Sequence, residues 1–134
     1  DAVIDRIRNI VNASIYDEFI DYRKIHTIYN SNDVLILPYR QVTQCGPLLI
    51  GYSEGVPSIC SDLAGFREYV TDGVDSMIFD NTAAGLAAKM EEIIKNPAII
   101  DKLSKGIEEI AMKKFSMEAL AGDYIENFKK CREG

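Results

Sequence analysis

Tryptophan is absent from the 134 residues, histidine occurs once, and 15 lysines and arginines face 21 aspartates and glutamates. The resulting net charge of −6 argues against nucleic acid as a partner, because a phosphate backbone needs a basic stripe. Three cysteines (Cys45, Cys60 and Cys131) form an odd, widely spaced set with no CxxC. With a single histidine they make neither a disulfide framework nor a zinc site, and the plain reading is a reducing cytoplasm. No run of about 18 apolar residues is present, so nothing in this chain is expected to span a membrane. No signal peptide pattern is visible, and the chain opens at Asp1 rather than Met, which reads as a processed form or a piece of something longer. His26, in "RKIHTIY", has no Asp, Glu or Cys clustered with it in sequence and is assigned a surface or packing role.

What is present is an ordinary globular composition, 47% hydrophobic and 27% charged, at a length that suits one domain with one core. "AVIDRIRNIV" places Val3, Ile4, Ile7, Ile10 and Val11 at helical spacing, and "IYDEFI" (15–20) reads as a short strand. "YRKIHTIYNS" is helical. "DVLILPY" is an apolar run stopped by Pro38, as a strand buried on both faces would be. A helix over 47–54, a buried strand "PSICS", a helical turn "FREYV", the turn signal "TDGVDS" and a last strand "MIF" (77–79) follow. From there the chain is helical: "TAAGLAAKMEEIIKN", capped by Asn81 or Thr82 and stopped by Pro97, then "AIIDKLSKGIEEIAMKKF" and "SMEALAGDYIENFKKC". Strands alternating with helices, too apolar for a wet face, predict a doubly wound α/β fold. Its parallel sheet would have about four strands, followed by a helical C-terminal tail, where such folds usually have about five or six strands. An absent amino-terminal portion would explain the shortage. Residues 1–134 are accordingly read as a single, partial domain.

The stretch "PYRQVTQCGPLLIGYSEGVP" (38–57) carries the strongest local signal. In such a sheet, ligands bind outside the carboxyl ends of the strands, and the loop 39–46 lies at one of those ends. Pro47 suits the first helical position, which leaves the amides of Leu48 and Leu49 free with the helix dipole behind them. Gly46, lacking Cβ, lets an anion approach the backbone, and Thr43, Gln44 and Cys45 add donors around it. The same residues also read as a plain helix start. The apolar helix 48–53 is assigned to the core, with Gly51 kept for close contact with a neighbouring element.

Taken together, Pro38, Tyr39 and Arg40, then Thr43, Gln44, Cys45 and Gly46, then Gly55, Val56 and Pro57, then "AGFRE" (64–68) with Asp72 and Gly73, resemble the carboxyl-terminal, donor-binding half of retaining glycosyltransferases of family 4, which have the GT-B fold. "FSMEALAGDYIENFK" is similar to that family's closing helix, and the resemblance covers about residues 16–130. It implies a nucleotide-diphospho-sugar donor, UDP- or GDP-linked, with its diphosphate over Gly46 and the Leu48 amide, flanked by Gln41, Thr43, Gln44 and Cys45. It places Glu68 on a family glutamate, read here as capping or bracing its loop, and implies that no metal or other cofactor is bound and that the product is a surface or cell-envelope glycan. The implied place of work is the cytoplasm, at the inner face of the membrane through an acceptor-binding amino-terminal domain upstream of Asp1.

Two features depart from the family pattern. The two glutamates that many members carry fall here on Ile50 and on Val42 or Gln41, so both carboxylates are gone. The cations that clamp the diphosphate would lie upstream of Asp1. No catalytic residue is assigned. The isolated chain is expected to bind nucleotide weakly, to transfer no sugar, and to have Cys45 as its most reactive thiol. A degenerate, non-catalytic binding or interaction domain of the same fold is the alternative. A phosphoacceptor receiver-like domain is disfavoured, because the strand ends lack its cluster of acids and lysine.

Overall fold

The computed structural model describes residues 2–16, 18–114, 121–122, 125–126 and 128–130. The elements run α1 (Ala2–Arg8), α2 (Tyr22–Asn30), β1 (Leu35–Leu37), α3 (Gly46–Ser53), β2 (Ser58–Ser61), α4 (Ala64–Arg67), β3 (Ser76–Phe79), α5 (Ala83–Lys95) and α6 (Ala98–Lys114). The strands form one parallel sheet in the order β1-β2-β3, with Leu35 opposite Ser58 and Ser58 opposite Ser76. The doubly wound parallel fold is therefore the observed one. Of the closing helix expected after residue 115, only the helical backbone at 121–122, 125–126 and 128–130 lies within the described residues.

Alternation along the strands sorts side chains to two faces. Leu37, Cys60 and Ile78 point to one face, where Leu48 and Tyr52 of α3, Phe66 of α4 and Ile107 of α6 cover them. Ile59, Met77 and Phe79 point to the other, under Ile93 of α5 and Leu103 of α6. The buried serines are satisfied within the sheet: Ser58 and Ser76 share a hydroxyl hydrogen bond at 3.0 Å, and Ser61 donates to the Leu37 carbonyl at 3.3 Å. Thr82 is the cap of α5, its hydroxyl accepting from the Gly85 amide at 2.9 Å. The "TDGVDS" turn is closed by its own acids. Asp75 accepts from the Thr71 amide and Asp72 from the Ile78 amide, each at 2.8 Å, while Gly73 takes φ +72°.

Three expectations are corrected. Among the described residues there are three strands, not four: 15–16 and 18–20 are irregular, with Tyr16 and Phe19 exposed, and make no ladder with β1. The alternation was real, but Ile20 lies beside Ile28 and Val56 in a groove rather than in a strand ladder. Second, α3 is not buried all round, since Leu49 is 45% exposed while Leu48 is 1%. Third, His26 does have a carboxylate partner. Its Nδ1 bonds Glu54 Oε2, which also accepts from Asn30 Nδ2 at 2.7 Å, tying α2 to the carboxyl end of α3. Gly51 behaves as expected: a Cβ there would lie 3.3 Å from both Leu35 Cδ2 and the Val56 carbonyl oxygen.

Candidate functional site at the carboxyl edge of the sheet

Parallel strands put all three carboxyl ends on one edge, and the loops leaving them meet there. β1 runs into Pro38 and the loop 38–45, β2 into Asp62 and α4, and β3 into Asp80, Asn81 and the start of α5. The edge has two parts, one on each face of the sheet.

On the α3 side, Cys45 is the residue before the helix, extended at φ −128°, and its carbonyl accepts from the Leu49 amide at 3.3 Å. The Leu49 amide is thus taken up inside the helix rather than free. Pro47 falls at the second helical residue, one later than expected, because Gly46 is already helical. Leu48 is buried at 1% exposure, beneath the surface rather than on it. Gly46 is exposed, and a Cβ on it would meet nothing within 4 Å, so the backbone there is sterically open. Gln41, Thr43 and Gln44 are exposed around it, whereas Cys45 is 5% exposed. The outward cradle is therefore narrower than the sequence implied. It consists of the Gly46 amide and three flexible polar side chains.

The loop is held from below. Tyr29 donates its hydroxyl to the Pro47 carbonyl at 3.2 Å, and the Tyr39 ring packs on Phe66 with centroids 5.7 Å apart. Burial first, and then the neighbouring Cys45, push both tyrosine hydroxyls above the usual phenol range. Gly65 allows a close approach to this loop: a Cβ there would stand 2.6 Å from the Val42 carbonyl oxygen. Glu68 is the C-cap of α4 through its backbone, while its exposed carboxylate has no partner among the described residues. The brace is the Arg67 guanidinium, which grips Asp62 through Nε and Nη2 and holds that carboxyl below the usual range.

On the α5 side, a cleft of about 390 Å³ opens between Pro38, Tyr39 and Arg40 of the first loop, Ser61 at the end of β2, and Asn81 and Thr82 at the start of α5. Asn81 sits at φ +66° and donates its side-chain amide to the Asp62 carbonyl at 2.9 Å, pinning the second and third loops together. Asp80 accepts from both the amide and the hydroxyl of Thr82, bonds that hold its carboxyl below the usual range. Sequence reading placed the segment that begins at Ser61 along this edge but missed Asn81. The only available signal was an Asn ahead of a helix, and that reads as a cap. Among the described residues no cluster of three His, Cys, Asp or Glu could hold a metal ion, and no helix is long and apolar enough to cross a membrane.

This arrangement of loops on a three-stranded parallel edge coincides with a family match that covers most of the chain: the family model for glycosyl transferases group 1 matches residues 5–96. The chain belongs to that family. As a glycosyl transferases group 1 domain it is similar to an uncharacterized 41.2 kDa protein in the cps region of Klebsiella pneumoniae, 24% identical over 136 residues. That match covers 90% of this chain and 37% of the relative. In structure the domain is similar to the sucrose-phosphate synthase of Thermosynechococcus elongatus, with a TM-score of 0.79 at 19% identity. The likeness covers 98% of this chain and 33% of the synthase, and it establishes a shared fold. The group 1 chain thus spans little more than a third of the length of the proteins it matches.

Proposed function

We propose that this chain is the donor-binding part of a retaining, family 4 glycosyltransferase, taking a UDP- or GDP-sugar with its diphosphate over the Gly46 amide. The observation that carries the reading is Gly46 itself. It is an exposed, sterically open glycine at the amino end of α3, at the carboxyl edge of a parallel sheet, within the region matched by the family model. An amide there, with a helix dipole behind it, favours negative charge. Thr43, Gln44 and Gln41 are within the same exposed loop to hydrogen-bond the donor, and no bound metal or other cofactor is required by this scheme. The relative in a cps region supports a surface glycan as product, and the proposed place of work is the cytoplasmic side of the membrane.

The domain is proposed to be part of a larger two-domain enzyme. Support comes from the outer edge of β1. There the Ile36 backbone faces away from β2, because the Leu35 amide bonds the Pro57 carbonyl. Apolar grooves flank that edge on both faces, one lined by Ile20, Ile28 and Val56, the other by Met90 and Ile94. A sheet whose faces are both apolar is one made to continue under further helices.

One observation favours the alternative of a non-catalytic binding domain. The positions that the resemblance assigns to the two family glutamates hold Ile50 and either Val42 or Gln41, none of them a carboxylate. The deciding measurement for donor binding is an NMR titration of the chain with UDP or GDP. Shifts should centre on Gly46 with millimolar-range affinity, since an amide and neutral side chains supply few charge-assisted contacts. Gly46→Val should abolish them without unfolding the chain, because the added Cβ points into open space. Shifts that persist in the variant would sink the cradle. Transfer by the isolated chain would refute the partial-domain reading.

A further inference from the structure

The loop 38–45 joins the two parts of the edge. Gly46, which follows it, opens α3 on one face, while Arg40, near its start, lines the cleft beside α5 on the other. At about 390 Å³ that cleft is of small-ligand size. Pro38 and Leu86 give it apolar sides above the buried Phe79 and Ser61. Two of its side chains keep hydrogen-bonding capacity to spare. Arg40 is exposed, and its guanidinium has no partner among the described residues. Asn81 has spent one amide hydrogen on the Asp62 carbonyl, which leaves its second N–H and its side-chain oxygen without a partner there.

Charge is unbalanced at this point of the edge. No acidic side chain lines the cleft, and Arg40 is the one charged residue that does. Of the carboxylates close by in sequence to its other walls, Asp80 is taken up by the amide and hydroxyl of Thr82, and Asp62 by Arg67. A chain of net charge −6 therefore keeps a cation here that neither of them neutralises.

We propose that the donor's sugar is a uronic acid, whose carboxylate Arg40 takes in this cleft while the ring lies across the loop 38–45 from the diphosphate on Gly46. The assignment rests on the donor reading above, in which this chain holds the donor and the acceptor belongs to the domain upstream. A guanidinium presents its N–H groups as a planar fork that matches a carboxylate. Asn81 offers a donor and an acceptor, as a ring hydroxyl requires, and Pro38 and Leu86 offer apolar surface to ring C–H groups. A small inorganic anion would meet the charge and leave those contacts unused. The loop sequence agrees with a negative sugar. A glutamate at position 41 or 42 would stand beside Arg40 and repel the uronate, and Gln41 and Val42 are both uncharged. Arg40 is then the residue that sets donor specificity.

The test is amide and side-chain NMR on the 134-residue chain. The probes are the methyl glycosides of glucuronate and galacturonate, their neutral hexose counterparts, acetate and inorganic phosphate, each to about 50 mM, a range suited to weak binding. UDP, GDP and UDP-glucuronate are titrated in parallel. At least one uronoside should shift Arg40 and Asn81 with an affinity about tenfold above its neutral counterpart, the margin expected for one charge-assisted contact. That margin should shrink as salt is raised from about 50 to about 500 mM, because the contact is exposed and screened. Arg40→Gln should erase the margin and Arg40→Lys should keep part of it; both variants should fold, since Arg40 is exposed and unpartnered among the described residues. Three outcomes would overturn the proposal: no uronoside moving the cleft, a neutral glycoside binding there as tightly, or acetate or phosphate moving it as strongly. Should UDP or GDP shift Gly46 while the cleft stays silent to every uronoside, the proposal fails and the donor reading stands. Uronoside shifts in the cleft with neither nucleotide moving Gly46 would overturn the donor reading, and with it the assignment of the uronate to the donor.

Discussion

Replacing Gly65 by Ala tests whether α4 sets the position of the donor loop. Gly65 lies in a short helix at negative φ, where Ala would ordinarily stabilise by about 0.4–1 kcal/mol through the unfolded chain. Here the new Cβ would lie 2.6 Å from the Val42 carbonyl oxygen and 3.2 Å from both Val42 C and Cγ1. The first two are main-chain atoms and cannot rotate away, so either α4 or the loop 38–45 must shift. Overpacking of this kind costs about 1–3 kcal/mol. Setting the unfolded-state gain against it leaves a net destabilisation of about 1–2 kcal/mol. Urea denaturation should show a lower midpoint at unchanged slope, and the amides of Thr43, Gln44 and Gly46 should move in the folded spectrum. UDP binding should weaken with them. A variant as stable as the parent, with those amides unmoved, would refute the claim that this glycine exists to let the loop sit down on α4.

Gly106→Ala should likewise destabilise, by about 1–3 kcal/mol, although Ala is the better helix former, because its Cβ would fall 2.0 Å from the Val74 carbonyl oxygen; a stabilised variant in thermal melts would show α6 to be free of that turn. Glu54→Ala should cost about 1 kcal/mol by removing the acceptor shared by His26 and Asn30, and Asn30 amide exchange should quicken. Cys60, fully buried, has its thiol pushed by that burial from 9.0 up to about 12. Folding therefore favours the neutral thiol: this contribution is intact below about pH 9 and declines as the unfolded thiol ionises between there and about pH 12. At pH 8 Cys60 should resist iodoacetamide until urea unfolds the chain, and Cys45 should react before it; prompt labelling of Cys60 in the folded protein would contradict its placement in β2.

The order of elements was legible in the sequence because each has a local cause. The apolar runs at 34–37 and 58–61, the Gly46-Pro47 helix start, the Thr82 cap and the "TDGVDS" turn each lie within a few residues of the atoms that decide them. The site was legible only where it is local, at Gly46. The tertiary structure decided the rest. It buried Leu48 and Cys45 and left Gly46 exposed at the helix start. It gave 15–16 and 18–20 no strand partner among the described residues, although the alternation over 15–20 alone reads as a strand. It also set Gly65 under Val42, joined His26 to Glu54, and drew Arg40, Ser61 and Asn81 to one cleft. These residues stand 20 or more positions apart and follow no common period, so no local pattern records them. Parallel pairing brings them together, by carrying the end of every strand to the same edge.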